Sequence, residues 1–317
     1  MTPTPEFLAV AAALKDRQPE GPRALEALAK RNDPHALLTL GECLVTGLDF
    51  PKNPAKGFKM IEKAAALGEE QARRTAIYLT NRGIGRKANP ALARNMLARL
   101  AKDDRFAAVQ LGLLDHLECA AAAARVTPEI VSADPYIAVY RGFFNKAEYT
   151  YLRHIGTPHM RPAMIAAGTS GGGVLDPVRR SDTTAIPLIE QDLIVHAIVS
   201  AIAEATGTDV DQGEPLALLR YGPGQEYRPH YDAYEEGWPG AQRQMTALVW
   251  LNDEYQGGET HFPRLGITVR GAPGDMLVFA NLDANGNRDD RMEHAGLPVT
   301  RGEKWLASRW ISVANQA

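Results

Sequence analysis

Leu216-Ala-Leu-Leu-Arg-Tyr-Gly-Pro-Gly-Gln-Glu-Tyr-Arg-Pro-His-Tyr-Asp232 decides how the second half of the chain folds. An apolar run of strand length leads to Gly222-Pro-Gly224, a turn signal, and Tyr227 to Asp232 reads as the returning strand. Side chains alternate faces along a strand, so His230 and Asp232 are expected on one face and Tyr231 on the other. The first run starts at Glu214, and others follow at Arg243 to Leu251, Glu259 to Phe262, Ile267 to Arg270, Asp275 to Ala280 and Glu303 to Val313. Gly, Pro and Asn turns separate them, as in an antiparallel double-sheet barrel. The expected fold is a double-stranded β-helix, a jelly roll, with a water-poor cavity between its sheets.

Upstream of these strands, Tyr136-Ile-Ala-Val-Tyr140 alternates like a strand. Asn145 and Glu148 then form a capping-box signal for a helix through His154, and Gln191 to Thr206 is an amphipathic helix ending at Gly207. Ala167-Gly-Thr-Ser-Gly-Gly-Gly-Val174 is too rich in glycine for regular structure and reads as a flexible lid or a solvent loop.

The first part of the chain has another texture, rich in Ala and Leu, and it repeats itself. Ala36-Leu-Leu-Thr-Leu-Gly41 aligns with Ala72-Arg-Arg-Thr-Ala-Ile77 and Ala107-Ala-Val-Gln-Leu-Gly112 at offsets of 36 and 35 residues. Gly47 and Gly83, Asn53-Pro54 and Asn89-Pro90, and Ala65 and Ala101 keep the same register. A period in the mid-thirties with a Gly-containing turn is the signature of a helix-pair solenoid. The segment resembles Sel1-like repeats, relatives of tetratricopeptide repeats, with Asn-Pro as cap and first residue of a helix. Gly21 to Lys30 reads as the second helix of an incomplete unit at the front. The expected domains are 1–125, helical repeats, and 126–317, the barrel, with the junction between about Ala120 and Pro135. The repeats have two readings: a platform that docks peptides or proteins, or a scaffold for the barrel.

Composition sets the outer bounds. The chain of 317 residues is 45% apolar and 23% charged with a formal net charge of -3, so it can bury two cores and shows no basic footprint for nucleic acid. Its two cysteines, Cys43 and Cys119, form no CxxC pair, which argues against a disulfide framework or a thiolate zinc site and fits a cytoplasmic setting. No targeting signal and no segment of membrane-spanning length is read.

Chemistry is carried by His230, Asp232 and His294. Two imidazoles and one carboxylate on one side of a metal, with the other side open, suit a non-haem Fe(II) oxygenase. His-x-Asp alone is a short motif among eight histidines. Its company is what gives it weight: Tyr221 and Tyr227 upstream, Asn252-Asp253 and Gly257-Gly-Glu-Thr-His-Phe-Pro263 between, Ala-Gly-x-Pro-Val after His294, and Lys304-Trp305 ten residues beyond it. From about Tyr136 onward the chain resembles the prolyl 4-hydroxylase branch of the 2-oxoglutarate and Fe(II)-dependent dioxygenases.

That resemblance implies that His230, Asp232 and His294 hold Fe(II), and that Lys304, with the hydroxyls of Tyr221 and Thr260, receives the distal carboxylate of 2-oxoglutarate. It implies turnover with dioxygen and ascorbate to succinate and carbon dioxide, coupled to hydroxylation of a prolyl residue in a peptide or protein. Tyr227, Arg243 and Trp310 are implied around the target, the rings offering their faces and Arg243 its fork of donors. His261 is expected near the site and off the metal. Two departures stand out: Trp250 where the family commonly has Tyr, and an acidic, Asn-rich insertion from Asp283 to Arg291. The competing readings are the same chemistry on another amino acid or small molecule, an interaction protein with an idle barrel, and a zinc hydrolase, which gives Lys304 and Tyr221 no role.

Overall fold

The computed structural model describes residues 2–121, 126–167, 172–176 and 178–313. It divides into two compact units, Met1–Glu118 with Leu188–His196, and Cys119–Pro187 with Ala197–Ala317. The expected junction includes residues 122–125, which lie outside the described residues. Among the described residues no helix is long and apolar enough to cross a membrane.

The first unit contains α1 (Pro5–Lys15), α2 (Gly21–Lys30), α3 (Pro34–Thr46), α4 (Pro54–Ala66), α5 (Glu70–Arg82), α6 (Pro90–Leu100) and α7 (Arg105–Ala121). The repeat in the sequence is a repeat of caps. The side chains of Asn53 and Asn89 accept from the backbone N–H three residues on, each followed by proline at the first helical position. Gly47 and Gly83 close the preceding helices at φ 86° and 77°, a left-handed conformation that favours glycine. Ala36, Ala72 and Ala107 are all buried, which is why a small residue recurs there. Helices α3 and α4 approach closely: a Cβ at Gly57 would lie 2.5 Å from the Gly41 carbonyl oxygen.

One expectation changes. The front unit is a full helix pair, because α1 precedes α2. Only Val10 of α1 is buried, so this Ala-rich helix carries too weak an apolar stripe to read from sequence.

The second unit contains β1 (Glu129–Ala133), β2 (Tyr136–Tyr140), α8 (Lys146–Gly156), β3 (Arg161–Pro162), β4 (Met164–Ala167), β5 (Gly172–Leu175) and β6 (Asp182–Ile186). After α9 (Leu193–Thr206) come β7 (Leu216–Tyr221), β8 (Tyr227–His230), β9 (Arg243–Trp250), β10 (Tyr255–Gly257), β11 (Thr260–Phe262) and β12 (Ile267–Val269). The chain ends with β13 (Met276–Ala280), β14 (His294–Gly296), β15 (Val299–Gly302) and β16 (Lys304–Ser312).

An eight-stranded sheet in the order β1-β2-β13-β9-β16-β7-β6-β3 and a four-stranded sheet in the order β12-β11-β14-β8 supply one core. Ile137, Leu219, Trp250, Leu277, Phe279 and Leu306 from the larger sheet cluster with Phe262 and Val269 from the smaller, as a jelly roll requires. The capping box at Asn145 and Glu148 forms as expected. The glycine-rich stretch is in part regular: Gly172 and Gly173 pair with Ala167 and Ala166 in a β4–β5 ribbon, and residues 168–171 lie outside the described residues. Main-chain pairing needs no side chain, so glycine content alone did not exclude a strand.

Candidate active site

The two imidazoles meet because of strand register. Strands β8 and β14 are antiparallel neighbours with His230 directly opposite His294, which sets their ring centroids 4.3 Å apart. Asp232 reaches them from a bend, since β8 ends at His230 and the strand alternation expected through Asp232 stops short of it. The convergence holds all the same. Asp232 Oδ1 lies 3.6 Å from His230 Nε2 and its Oδ2 lies 3.5 Å from His294 Nε2. One ligand atom from each of the three residues falls within 4.8 Å of the others, and among the described residues no other group of His, Cys, Asp or Glu does so.

Neighbouring carbonyls orient both rings. Nδ1–H of His230 donates to the Arg228 carbonyl at 2.8 Å, and Nδ1–H of His294 donates to the Met292 carbonyl at 3.0 Å. Each ring therefore turns its Nε2 toward the cluster, the nitrogen a metal would take. Burial pushes His294 down to about 4 despite the opposing pull of Asp232, so this imidazole is neutral at physiological pH. Burial acts to raise the Asp232 carboxyl, but His294, His230 and the Thr246 hydroxyl overcome it and hold the group below the usual carboxylate range. Thr246 Oγ1 donates to Asp232 Oδ2 at 2.6 Å and accepts from Asn281 Nδ2 at 3.0 Å, a fully buried relay behind the carboxylate. Two imidazoles and one pinned carboxylate fit a divalent iron.

The same residues open onto a cavity that brings most of the expected site together: Tyr221, Tyr227, Thr260, Lys304 and Trp310 line it with the three cluster residues. Lys304 opposes Tyr221 in the β16–β7 ladder, and its Nζ sits 5.7 Å from the Tyr221 ring centroid. Lys304 is 2% exposed, with Nζ donating to the Gly258 carbonyl at 2.6 Å. Burial pushes this ammonium down to about 7, against the nearby Glu259 carboxylate, which acts to raise it. A buried cation without a full counter-charge is costly, and an incoming carboxylate would relieve it. Burial also raises the Tyr221 phenol, which keeps it a neutral donor.

Tyr227 stacks on His230 at 3.4 Å between centroids. Arg243 is placed differently from the other expected residues. Its Nε and Nη2 donate to Glu214, the latter at 2.8 Å, and Nη1 donates to the Asp232 carbonyl at 3.4 Å, so its fork is already engaged beside the cavity. His261 turns away from the cavity and pairs with Thr268 Oγ1 at 2.9 Å. Trp250 is fully buried in the core, where Gly271 makes room: a Cβ there would lie 2.2 Å from the ring.

Sequence reasoning missed Thr246, Asn281 and Ser308. Ser308 is 1% exposed, lines the cavity, and its Oγ has no hydrogen-bond partner among the described residues. The signal for it was present: Lys304, Leu306, Ser308 and Trp310 all line the cavity at the two-residue period of one strand.

Comparison with known proteins agrees with this geometry. Residues 216–312 match the 2OG-Fe(II) oxygenase superfamily. The chain is 34% identical over 203 residues to Prolyl 4-hydroxylase 1 of Arabidopsis thaliana, covering 59% of this chain and 72% of that protein. It is 32% identical over 207 residues to Probable prolyl 4-hydroxylase 3 of the same plant, covering 58% and 72%. Among solved structures, it is similar to the viral collagen prolyl hydroxylase of Paramecium Bursaria Chlorella virus-1 in its 2OG complex, with TM-score 0.47 and 26% identity over 58% of this chain and 99% of that one. A Sel1 repeat protein from Oxalobacter formigenes is also similar, with TM-score 0.31 and 23% identity over 34% of this chain and 85% of that one. With a relative of that identity and coverage, and with the site assembled as described, this chain belongs to the prolyl 4-hydroxylase family of Fe(II)- and 2-oxoglutarate-dependent oxygenases.

Proposed function

We propose that this enzyme hydroxylates a prolyl residue in a peptide or protein, and that His230, Asp232 and His294 are its iron ligands. The observation that carries the proposal is the convergence of those three side chains at a cavity whose other end holds the buried Lys304. His230, Asp232 and His294 would hold Fe(II) there, and with 2-oxoglutarate and dioxygen it would supply oxidative decarboxylation, releasing carbon dioxide and leaving one oxygen atom of dioxygen in succinate and the other in the hydroxylated substrate.

The side chains have separable tasks. Lys304 binds the distal carboxylate of 2-oxoglutarate, and Thr260 and Tyr221 contribute hydroxyls to it. The Arg228 and Met292 carbonyls hold both imidazoles in the ligating tautomer, and Thr246 fixes the carboxylate. Leu219, Leu248 and Leu306 line the cavity with apolar surface that excludes water. Tyr227 and Trp310 offer ring faces to the target, and Arg243 closes that side. Ascorbate is the reductant that sustains turnover. The helical repeats dock the substrate protein, a role supported by their stacked helix pairs. The cytoplasm is the proposed compartment, supported by the scarcity of cysteine and by the free, buried Cys43.

The test supplies Fe(II), 2-oxoglutarate and ascorbate to the full chain with proline-containing peptides. Mass spectrometry is expected to show a gain of one oxygen on proline, matched by succinate, with both abolished in His230→Ala. Succinate without modified proline would move the target to another residue, and succinate equal to the His230→Ala background would leave an interaction protein.

A further inference from the structure

The tasks assigned to the cavity leave one buried hydroxyl unused. Ser308 is 1% exposed, lines the cavity, and has no hydrogen-bond partner for its Oγ among the described residues. Its cross-strand neighbours are Ala217 on β7 and Leu248 on β9, whose side chains offer nothing to bond. Asp232 is no partner either, since its Oδ2 already accepts from Thr246 and its two oxygens face the two imidazoles. A buried hydroxyl left unpaired costs free energy that alanine in its place would not, so the donor implies a partner that enters the cavity.

The order of side chains along the strand says which partner. Strand β16 turns Lys304, Leu306, Ser308 and Trp310 to the cavity in that sequence. Across the sheet, Tyr221 stands opposite Lys304, Leu219 opposite Leu306, and Thr246 opposite Trp310. One wall of the cavity therefore runs from a cation, over leucine side chains, to a hydroxyl. Past that hydroxyl comes the row in which Thr246 holds Asp232. Trp310 Nε1 also has no partner among the described residues, but Trp310 lies on the far side of Ser308 from Lys304.

We propose that Ser308 is a cosubstrate-binding residue whose hydroxyl donates to the keto-acid carboxylate of 2-oxoglutarate, the end opposite the one that Lys304 binds. This rests on the reading of the cavity as the 2-oxoglutarate site. The cosubstrate carries the same succession of chemistry as the strand face: a carboxylate, two methylenes, then a keto group with a second carboxylate. Strand residues rise about 3.3 Å each, so the α-carbons of Lys304 and Ser308 lie about 13 Å apart on one face. That is the span of a five-carbon diacid with a hydrogen bond at each end. A serine hydroxyl has one proton to donate, and a bond to a carboxylate is charge-assisted, stronger than one to a neutral oxygen. The donor also selects, favouring a ligand with a carboxylate at that end over one that ends in a methyl group.

The test titrates three ligands into the Mn(II)-loaded full chain by calorimetry: 2-oxoglutarate, 2-oxopentanoate, in which a methyl replaces the distal carboxylate, and 4-oxopentanoate, in which a methyl replaces the keto-acid carboxylate. Ser308→Ala is expected to weaken 2-oxoglutarate and 2-oxopentanoate by about tenfold each, and to leave 4-oxopentanoate and Mn(II) itself bound as in wild type. Lys304→Ala should give the complementary pattern, weakening 2-oxoglutarate and 4-oxopentanoate and sparing 2-oxopentanoate. Unchanged 2-oxoglutarate affinity in Ser308→Ala, an equal loss for all three ligands, or a loss of Mn(II) affinity overturns the role of Ser308. With the Lys304→Ala pattern intact, the cosubstrate site would stand without it. If the wild-type Mn(II) enzyme binds none of the three, the reading of the cavity falls and the assignment of Ser308 falls with it.

Discussion

In the proposed site Lys304 is the residue on which cosubstrate binding would turn, and its burial gives a pH signature. A bound carboxylate favours the ammonium, so the Lys304 pKa rises on binding from its free value of about 7. The affinity this group contributes is full below that value and is lost as pH rises above it. Titration of 2-oxoglutarate into Mn(II)-loaded enzyme at pH 6.5 and 8.5 is expected to show weaker binding at the higher pH, by up to about tenfold per pH unit. Lys304→Ala should bind at least tenfold more weakly than wild type at the lower pH and lose the dependence. Equal affinity in mutant and wild type would remove Lys304 from this role. Behind the proposed metal site, Thr246→Val deletes the donor to Asp232 Oδ2 at nearly constant volume, and should weaken Mn(II) binding by about tenfold or more, whereas Thr246→Ser should not. Unchanged affinity in Thr246→Val would make the relay structural only. At this scale the sequence told unevenly. His230, Asp232, His294 and Lys304 were legible because each keeps a fixed spacing from distinctive neighbours. Thr246, Asn281 and Ser308 were not, because a hydroxyl or amide in an apolar strand looks the same whether it faces a carboxylate or a neighbouring backbone.

Elements were legible where a cap or an alternation marked them. The Asn-Pro caps and the glycines at positions 47 and 83 fall where the repeat placed them, and the strand bearing Lys304 begins within a residue of its expected start. Among the shortest strands, β11 and β12 were read from the turns that bound them, and others escaped. Strands β10, β14 and β15 span three or four residues, too few for a period to show, and β14 holds the second imidazole. The repeat makes a prediction of its own. Gly→Ala in a helix normally stabilises by up to about 1 kcal/mol. At Gly112 nothing lies within 4 Å of the added Cβ, so Gly112→Ala should raise the midpoint of thermal unfolding or leave it unchanged. At Gly57 the Cβ would meet the Gly41 carbonyl oxygen at 2.5 Å, backbone that cannot step aside, and overpacking of about 1–3 kcal/mol should win. Circular dichroism melts decide it: a higher midpoint for Gly57→Ala would mean that α3 and α4 do not pack through these glycines.

The whole molecule joins two kinds of sequence, and each unit is explained by its own period, near thirty-six residues in one and two in the other. Fold class was legible because both periods survive in the chain, whereas the compact units were not legible in full. The segment Leu188–His196 is distant in sequence from the repeats yet counts with them, and there Tyr78 Oη donates to Gln191 Oε1 at 2.9 Å. No local pattern announces such a pairing. Ligand linkage should act on the jelly roll. Mn(II) with 2-oxoglutarate at about a hundred times its Kd should stabilise that unit by about 2.7 kcal/mol, seen in calorimetry as an upward shift that a chelator reverses. The central claim is that one metal ion sits among His230, Asp232 and His294 with a diacid reaching Lys304. Anomalous scattering from crystals grown anaerobically with Mn(II) and 2-oxoglutarate tests it most directly. A single peak within about 2.3 Å of both imidazole Nε2 atoms and an Asp232 oxygen, with a carboxylate on Lys304 Nζ, is the expected result. A metal peak elsewhere, or density for the diacid away from Lys304, would contradict it.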